Sequence, residues 1–304
     1  MRVLSVAWSA RALRPTAWTS SARLHRLFAS TAAGADSPTV ICVHGMHCTS
    51  KHFDLWRSRM EDAGLDVVTP TLRYHDGYVE GGPPPPPELG DATIEDYVDD
   101  VAAVVDSLGL SRPPVFVGHS MGAVISLKLL ERGIGGGAAL VAPASPANWS
   151  SPFLWEQQVI WHRIAMWLPF QRPVRLSPTM AAWGFFNRLA KGSPEREHAE
   201  RNLVFESGRA AIEMIWLPFS WIFNLRRSTA IVDAARIQQP TSIYGGTHDR
   251  ATPPRSHRRI RKFLGAATPY RLYDGRDHWL IAETEVCDDV IEWIGSISPP
   301  SDPA

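Results

Sequence analysis

Ser120 stands at the centre of Gly118-His119-Ser120-Met121-Gly122, and that spacing suits a nucleophile. A serine hydroxyl attacks only when a base takes its proton and the backbone projects it clear of its neighbours. Glycines two residues to either side permit such a backbone: a sharp strand-to-helix turn in which side chains at 118 and 122 would collide. The flanking pattern agrees. Residues 114–117 form a short apolar run after the turn signal Ser111-Arg112-Pro113, which reads as a buried strand. From Ala123 onward, Val124, Ile125, Leu127, Leu129 and Leu130 recur at helical spacing, closed by Gly133 and Gly135. The start of that helix offers free N–H groups and a positive dipole end where an oxyanion would form. A glycine-rich turn with an incidental serine is the plain alternative, so the reading depends on an acid and a histidine that can reach Ser120.

The surrounding elements must bring those partners in. The spacing predicts strands over 39–43 and 66–69, with a helix over 51–63 that buries Phe53, Leu55, Trp56 and Met60. A Gly/Pro-rich loop follows over 76–90, including five prolines from 83 to 87, read as an extended connector. A helix over 93–108 starts on Thr93 as N-cap and carries Ile94, Tyr97, Val98, Val101, Val104, Val105 and Leu108. After the Ser120 strand and helix comes a strand over 136–143. The alternation then stops: residues 147–228 read as all helical and hold Trp149, Trp155, Trp161, Trp167, Trp183, Trp216 and Trp221, seven of twelve tryptophans. It resumes with a helix over 228–237, a strand over 241–244, a helix over 254–263, a strand over 270–273 and a final helix over 280–294. There is no internal repeat.

Strands alternating with helices predict an α/β fold with a mostly parallel central sheet, helices on both faces and a helical cap inserted after the strand near residues 138–142. The domain expectation is a core of 36–146 plus 229–304, a cap of 147–228, and an extension of 1–35. Functional groups in such sheets gather where strands end at their carboxyl side. Four loops qualify: His44-Gly45-Met46, the Ser120 turn, Gly245-Gly246-Thr247-His248-Asp249, and Asp274-Gly275-Arg276-Asp277-His278.

These four motifs, in this order, resemble the α/β-hydrolase superfamily over about residues 38 to 297, the cap only loosely. Val43-His44-Gly45-Met46 and Pro70-Thr71-Leu72-Arg73 resemble a group of bacterial-type members. The order serine, aspartate, histidine is that of the superfamily. The resemblance implies Ser120 as nucleophile, His278 as base and Asp249 as the acid that orients it. The oxyanion hole would use the backbone N–H groups of Met46 and Met121. His44 and Gly45 would shape the oxyanion loop, with His44 a hydrogen-bonding residue of that loop and His119 a packing neighbour of the nucleophile. Asp274, Asp277 and Glu283 are competing acids. Asp277 adjoins His278 in the chain and cannot easily reach its ring, Asp274 sits in a turn with Gly275, and Glu283 falls on the last helix, facing solvent. No acid follows the strand at 139–141 before Glu156.

Composition narrows the function further. Thirty-one Lys and Arg balance 31 Asp and Glu, so bulk charge favours neither nucleic acid nor an anionic membrane. Three cysteines, Cys42, Cys48 and Cys287, make no disulfide framework. His44, His47 and His52 lack the carboxylates or cysteines that would complete a metal site, so no metal and no cofactor is expected. No apolar run is long enough to span a membrane. The first 35 residues carry Arg2, Arg11, Arg14, Arg23 and Arg26 with no acid, and Arg26-Leu27-Phe28-Ala29-Ser30 resembles a presequence cleavage site, so a mitochondrial transit peptide is expected, with a plastid one, or a disordered extension on a cytoplasmic protein, as the alternatives. Together these predict a serine hydrolase of small apolar or amphipathic carboxylic esters, with the tryptophan-rich cap lining an acyl pocket. Thioesters, amides or lyase chemistry on the same triad, or a ligand receptor on the same fold, are the alternatives.

Overall fold

Val40, Ile41, Cys42 and Val43 are all closed to solvent, which requires a strand covered on both faces. They lie in β1 (Thr39–Val43) of a computed structural model that describes residues 37–77, 82–150, 172–214 and 228–297. All of these fall within one unit, Ala33–Ala304. The expected transit peptide lies outside the described residues.

The remaining strands are β2 (Asp66–Val68), β3 (Val115–His119), β4 (Gly137–Val141), β5 (Pro173–Val174), β6 (Glu206–Ser207), β7 (Thr241–Gly246) and β8 (Tyr270–Tyr273). Among the described residues six of them form one sheet in the order β2-β1-β3-β4-β7-β8, every neighbouring pair parallel. The register sets Val43 beside Gly118, His119 beside Val141, Val141 beside Tyr244 and Gly246 beside Tyr273. The carboxyl ends of β1, β3, β4, β7 and β8 therefore open along one edge.

The helices are α1 (Asp54–Asp62), α2 (Ile94–Leu108), α3 (Met121–Glu131), α4 (Pro178–Gly184), α5 (Pro194–Arg201), α6 (Gly208–Glu213), α7 (Pro254–Leu264) and α8 (Thr284–Ile297). Strand alternation divides the core. Val40, Cys42, Val115 and Val117 point to the side covered by Phe53, Trp56 and Met60 at α1 and Val286, Cys287, Val290 and Ile294 of α8. Ile41, Val43, Phe116 and Leu140 point to the side covered by α2, α3 and Ile260 of α7. Ten of the eleven residues of α3 are buried, so the helix behind Ser120 is locked in the core. Thr93 caps α2 as expected: its hydroxyl accepts from the Asp96 amide at 3.1 Å, the Asp96 carboxylate answers at the Thr93 amide, and Gly109 ends the helix left-handed.

Several expectations need correction. Leu55 faces solvent, because α1 begins only at Asp54 after a 3₁₀ turn and its buried stripe runs through Trp56 and Met60. Residues 228–237 are not a helix beyond one 3₁₀ turn, Ala234–Arg236. The Asn148 amide takes both main-chain groups of Val232 at 3.1 and 2.8 Å, and Ala147 N–H donates to Ala230 C=O, so the segment is laid out along the core. The final helix is broken: a 3₁₀ turn, Leu280–Ala282, precedes α8, with Glu283 extended between them. Glu283 does not simply face solvent; it pairs with Arg276 at 2.9 Å.

The inserted segment is not all helical either. Within 172–214, β5 and β6 pair antiparallel, and α4, α5 and α6 are short. Trp149 belongs to the core, stacked on Phe263 at 5.1 Å between ring centroids. Trp183 is exposed, with the Arg250 guanidinium over its ring. The other five tryptophans of the segment lie outside the described residues.

Candidate active site

Ser120 occupies φ 54, ψ −115, a region that L residues enter only under constraint. The constraint is visible on both sides of the turn. Ser120 N–H donates to Val141 C=O at 3.0 Å, and Ser120 C=O accepts from Ala123 and Ala144 at 3.1 Å each. A Cβ on Gly118 would sit 2.5 Å from Gly122 C=O, and one on Gly122 would sit 2.0 Å from Val43 C=O. The two glycines of the motif are therefore required by packing. Gly45 completes the fit: a Cβ there would meet Ser120 Cβ at 2.9 Å, so the loop after β1 lies directly against the serine.

The acid and the histidine come from the loops after β7 and β8, the last two strands of the sheet. His278 Nδ1 lies 2.9 Å from Asp249 Oδ2, both side chains being buried. Asp249 is held in turn by Thr252, whose N–H donates to Oδ1 at 2.7 Å and whose hydroxyl lies 2.8 Å from Oδ2. The same hydroxyl is 3.1 Å from His278 Nδ1 and 3.0 Å from Ala142 C=O. Thr252 is thus a residue that motif reading missed. Its signal was an aspartate three residues ahead, the spacing at which a carboxylate caps a following amide. Gly246 permits the approach of the two loops, since a Cβ there would meet Arg276 C=O at 2.4 Å.

The competing acids are engaged elsewhere. Asp277 Oδ2 accepts from the amides of Arg188 (2.6 Å) and Leu189 (3.3 Å), and Oδ1 accepts from Trp279 N–H (3.0 Å). It ties the inserted segment to the histidine loop; burial lifts its pKa against the pull of those amides. Asp274 accepts from the Thr247 hydroxyl.

The neighbouring histidines are structural. His44 Nδ1–H donates to Gly45 C=O at 2.9 Å while Nε2 accepts from Leu72 N–H at 3.1 Å, which fixes one neutral tautomer. Burial, reinforced by the nearby His75, lowers its pKa to about 3. His119 Nε2–H donates to His278 C=O at 3.0 Å, its ring 5.0 Å from that of His278. Burial and the His278 ring keep His119 far below the ordinary histidine range. Met46 and Met121 are both buried; Met46 follows Gly45, which lies against the serine, and Met121 is the first residue of α3.

Aromatic rings cover His278 from the inserted segment. Phe185 lies 5.1 Å from the His278 ring and stacks on Trp279 at 6.0 Å, and Phe186 meets Trp279 edge-on at 4.7 Å. Among the described residues no group of three or more His, Cys, Asp and Glu is arranged to hold a metal ion. An open hollow of about 410 Å³ lies at β8, lined by Arg271, Tyr273, Asp274 and Arg276, and includes none of Ser120, Asp249 or His278.

The chain belongs to the alpha/beta hydrolase family, whose sequence model matches residues 40–292. No curated relative matches it. In fold it is similar to a thermophilic esterase from Thermogutta terrifontis, at 21% identity and a TM-score of 0.61, covering 88% of this chain and 92% of that one. A monoacylglycerol lipase from Paleococcus ferrophilus matches at 20% identity and a TM-score of 0.58, covering 86% and 96%. An esterase from Exiguobacterium antarcticum matches at 16% identity and a TM-score of 0.60, covering 87% and 93%. At these identities the likeness is one of fold. Among the described residues no helix is long and apolar enough to cross a membrane.

Proposed function

We propose that the protein is a serine hydrolase that cleaves carboxylic esters through an acyl-enzyme. The observation that carries the reading is a serine in a strained turn at φ 54 after β3, together with a buried histidine–aspartate pair at 2.9 Å after β8 and β7, all at the carboxyl ends of strands of one parallel sheet. Ser120 Oγ attacks the ester carbonyl while His278 Nε2 takes its proton. The tetrahedral oxyanion is held by the amides of Met46 and Met121. As the C–O bond to the alcohol breaks, His278 returns the proton to the leaving oxygen. Water, activated by the same nitrogen, then attacks the acyl carbon and frees the acid and Ser120. Asp249 keeps the His278 proton on Nδ1 and stabilises the imidazolium. Apolar or amphipathic small esters fit the setting, since Phe185 borders the histidine and packs, with Phe186, on Trp279. The fold likeness to two esterases and a monoacylglycerol lipase supports the same choice.

A fluorophosphonate probe tests this directly, because its tetrahedral phosphorus mimics the intermediate. Labelling is expected on Ser120, lost in Ser120→Ala, together with steady turnover of short p-nitrophenyl esters. A folded protein that takes no label sinks the reading. Labelling followed by a single acyl turnover would make the protein a receptor on this fold.

A further inference from the structure

Glu206 is a fully buried carboxylate in β6, contributed by the inserted segment, and it is saturated with donors. Oε2 accepts from the backbone N–H of His47 and from His75 Nε2, each at 3.2 Å. Oε1 accepts from the Tyr97 hydroxyl at 2.7 Å and from Ser207 N–H at 2.6 Å. The partners come from the loop after β1, the loop after β2, helix α2 and β6 itself. His75 Nδ1 faces Arg73 C=O at 2.8 Å while Nε2 faces Glu206, so both ring nitrogens meet acceptors and both must carry protons. Glu206 and His75 are therefore a buried ion pair.

The His47 end of this cluster matters for chemistry. His47 follows Met46 and is held at φ 62, outside the range an unconstrained histidine prefers. Beyond the Glu206 contact, His47 C=O accepts from Val204 N–H at 3.0 Å and its Nδ1–H donates to Val204 C=O at 3.2 Å. Glu206 thus holds the peptide that joins Met46 to His47, and Val204 the next one, so both sides of His47 are tied to the inserted segment. On the other flank, His44 is tied to Leu72, and its ring lies 5.2 Å from that of His75.

We propose that Glu206 is a positioning residue of the reaction: through the His47 amide it fixes the loop that carries the Met46 N–H, so that the inserted segment and the oxyanion hole are assembled together. This rests on the serine-hydrolase reading above. A buried charge is costly to hold, and it persists here because each of its oxygens meets two donors that an apolar residue would leave unpartnered. Burial would raise the Glu206 pKa, but His75, His47 and Tyr97 outweigh it and hold the carboxyl at about 2, so it is ionised throughout the working range.

The test uses the full chain carrying Glu206→Gln, with Tyr97→Phe for comparison. Glutamine keeps the shape but offers one acceptor oxygen to two backbone amides, His47 and Ser207, and no charge to His75, so it cannot hold β6 and the loop after β1 together whichever way it turns. Tyr97→Phe removes a donor from the same carboxylate on the oxygen away from His47. Three quantities are read: the rate of fluorophosphonate labelling at Ser120, kcat and KM on a short p-nitrophenyl ester, and Tm. For Glu206→Gln, labelling and kcat should fall roughly 10- to 100-fold, the scale of a misplacement of about 1 Å, with KM within about twofold. Tyr97→Phe should lower Tm without a comparable loss of kcat. Wild-type labelling rates in a folded Glu206→Gln protein overturn the proposal, as does a loss of activity that tracks Tm equally in both variants. If Glu206→Gln gives no soluble protein, Glu206→Asp, which withdraws the oxygens by one methylene, carries the same test of kcat against KM. A wild type that takes no label at Ser120 overturns the hydrolase reading itself and this proposal with it.

Discussion

Asp277 and His278 are adjacent in the chain, yet their side chains face opposite partners: His278 Nδ1 meets Asp249 at 2.9 Å, while Asp277 reaches the amides of Arg188 and Leu189. One loop thereby performs two tasks. Its histidine meets the carboxylate that follows β7, and its aspartate anchors the inserted segment that brings Phe185 against the histidine ring.

The two carboxylates should therefore fail differently. Asp249→Asn leaves the geometry but disturbs the His278 tautomer, and kcat should drop by roughly 10⁴. Asp277→Asn removes the charge from contacts to two amides of the inserted segment, so it should lower Tm and raise KM while sparing most of kcat. Steady-state kinetics on both variants decides; a far deeper kcat loss in Asp277→Asn would reverse the assignment.

The glycines give a steric prediction. Gly122→Ala drives a methyl to 2.0 Å from Val43 C=O, and backbone cannot yield as a flexible side chain can. The variant should be insoluble or lose more than about 3 kcal/mol. Gly64, at φ +85 with nothing within 4 Å of where a methyl group would stand, offers the contrast. Gly64→Ala should cost only about 1–2 kcal/mol, the left-handed backbone penalty. Urea midpoints of the two proteins measure the difference, and equal losses would mean the turn is not packed as described.

What the sequence reveals follows from what is local. Ser120, Asp249 and His278 each sit just past an apolar run, and a parallel sheet puts such positions on one edge, so their convergence is readable from order alone. Glu206 is not readable this way. Its partners His47, Tyr97 and His75 are between 109 and 159 residues away, and nothing in Val204-Phe205-Glu206-Ser207 marks it as buried. The hairpin of β5 and β6 has two residues per strand, too few to establish a period. Residues 228–237 mix alanine with β-branched residues and pass for a helix until Asn148, 84 positions away, claims Val232. Long-range polar contacts thus account for what sequence reading misses at Glu206 and over 228–237, whereas most of the apolar periodicities coincide with buried faces.

Phe185 should govern substrate fit. Its ring borders His278 and stacks on Trp279, so Phe185→Ala removes apolar surface from the rim of the site. KM for longer acyl chains should rise several-fold, with acetyl esters much less affected, because the loss scales at about 0.8 kcal/mol per methylene no longer buried. A p-nitrophenyl ester series from about two to eight carbons reads this out. An equal KM change at every length would take Phe185 out of the acyl site.

Stability should fall steeply in mild acid. His44 is pushed to about 3, His52 to about 4 and His257 to about 4, in each case chiefly by burial, and His119 lies well below its ordinary value. A histidine whose folded pKa is depressed binds its proton first in the unfolded chain, so stability is lost as pH drops below about 6.5 and continues to fall until the folded value is reached. Each such group contributes up to about 1.4 kcal/mol per pH unit in that window, and His44, His52 and His257 together about 4. Below about 4.5 the Glu206 carboxylate adds to the loss, since its folded value is depressed to about 2. His75 does not offset this: its folded pKa is raised, because Glu206 outweighs burial, so its contribution is already complete below 6.5 and fades only as pH rises above that. Against a total of roughly 5–15 kcal/mol, unfolding at ambient temperature is expected between about pH 4 and 5. Tm measured from pH 7.5 to 4.5 should show the slope, and His52→Gln, which removes one of at least four such rings, should make it shallower by roughly a quarter at most. A Tm unchanged from pH 7 to 4.5 would mean that these rings are not buried in their neutral form.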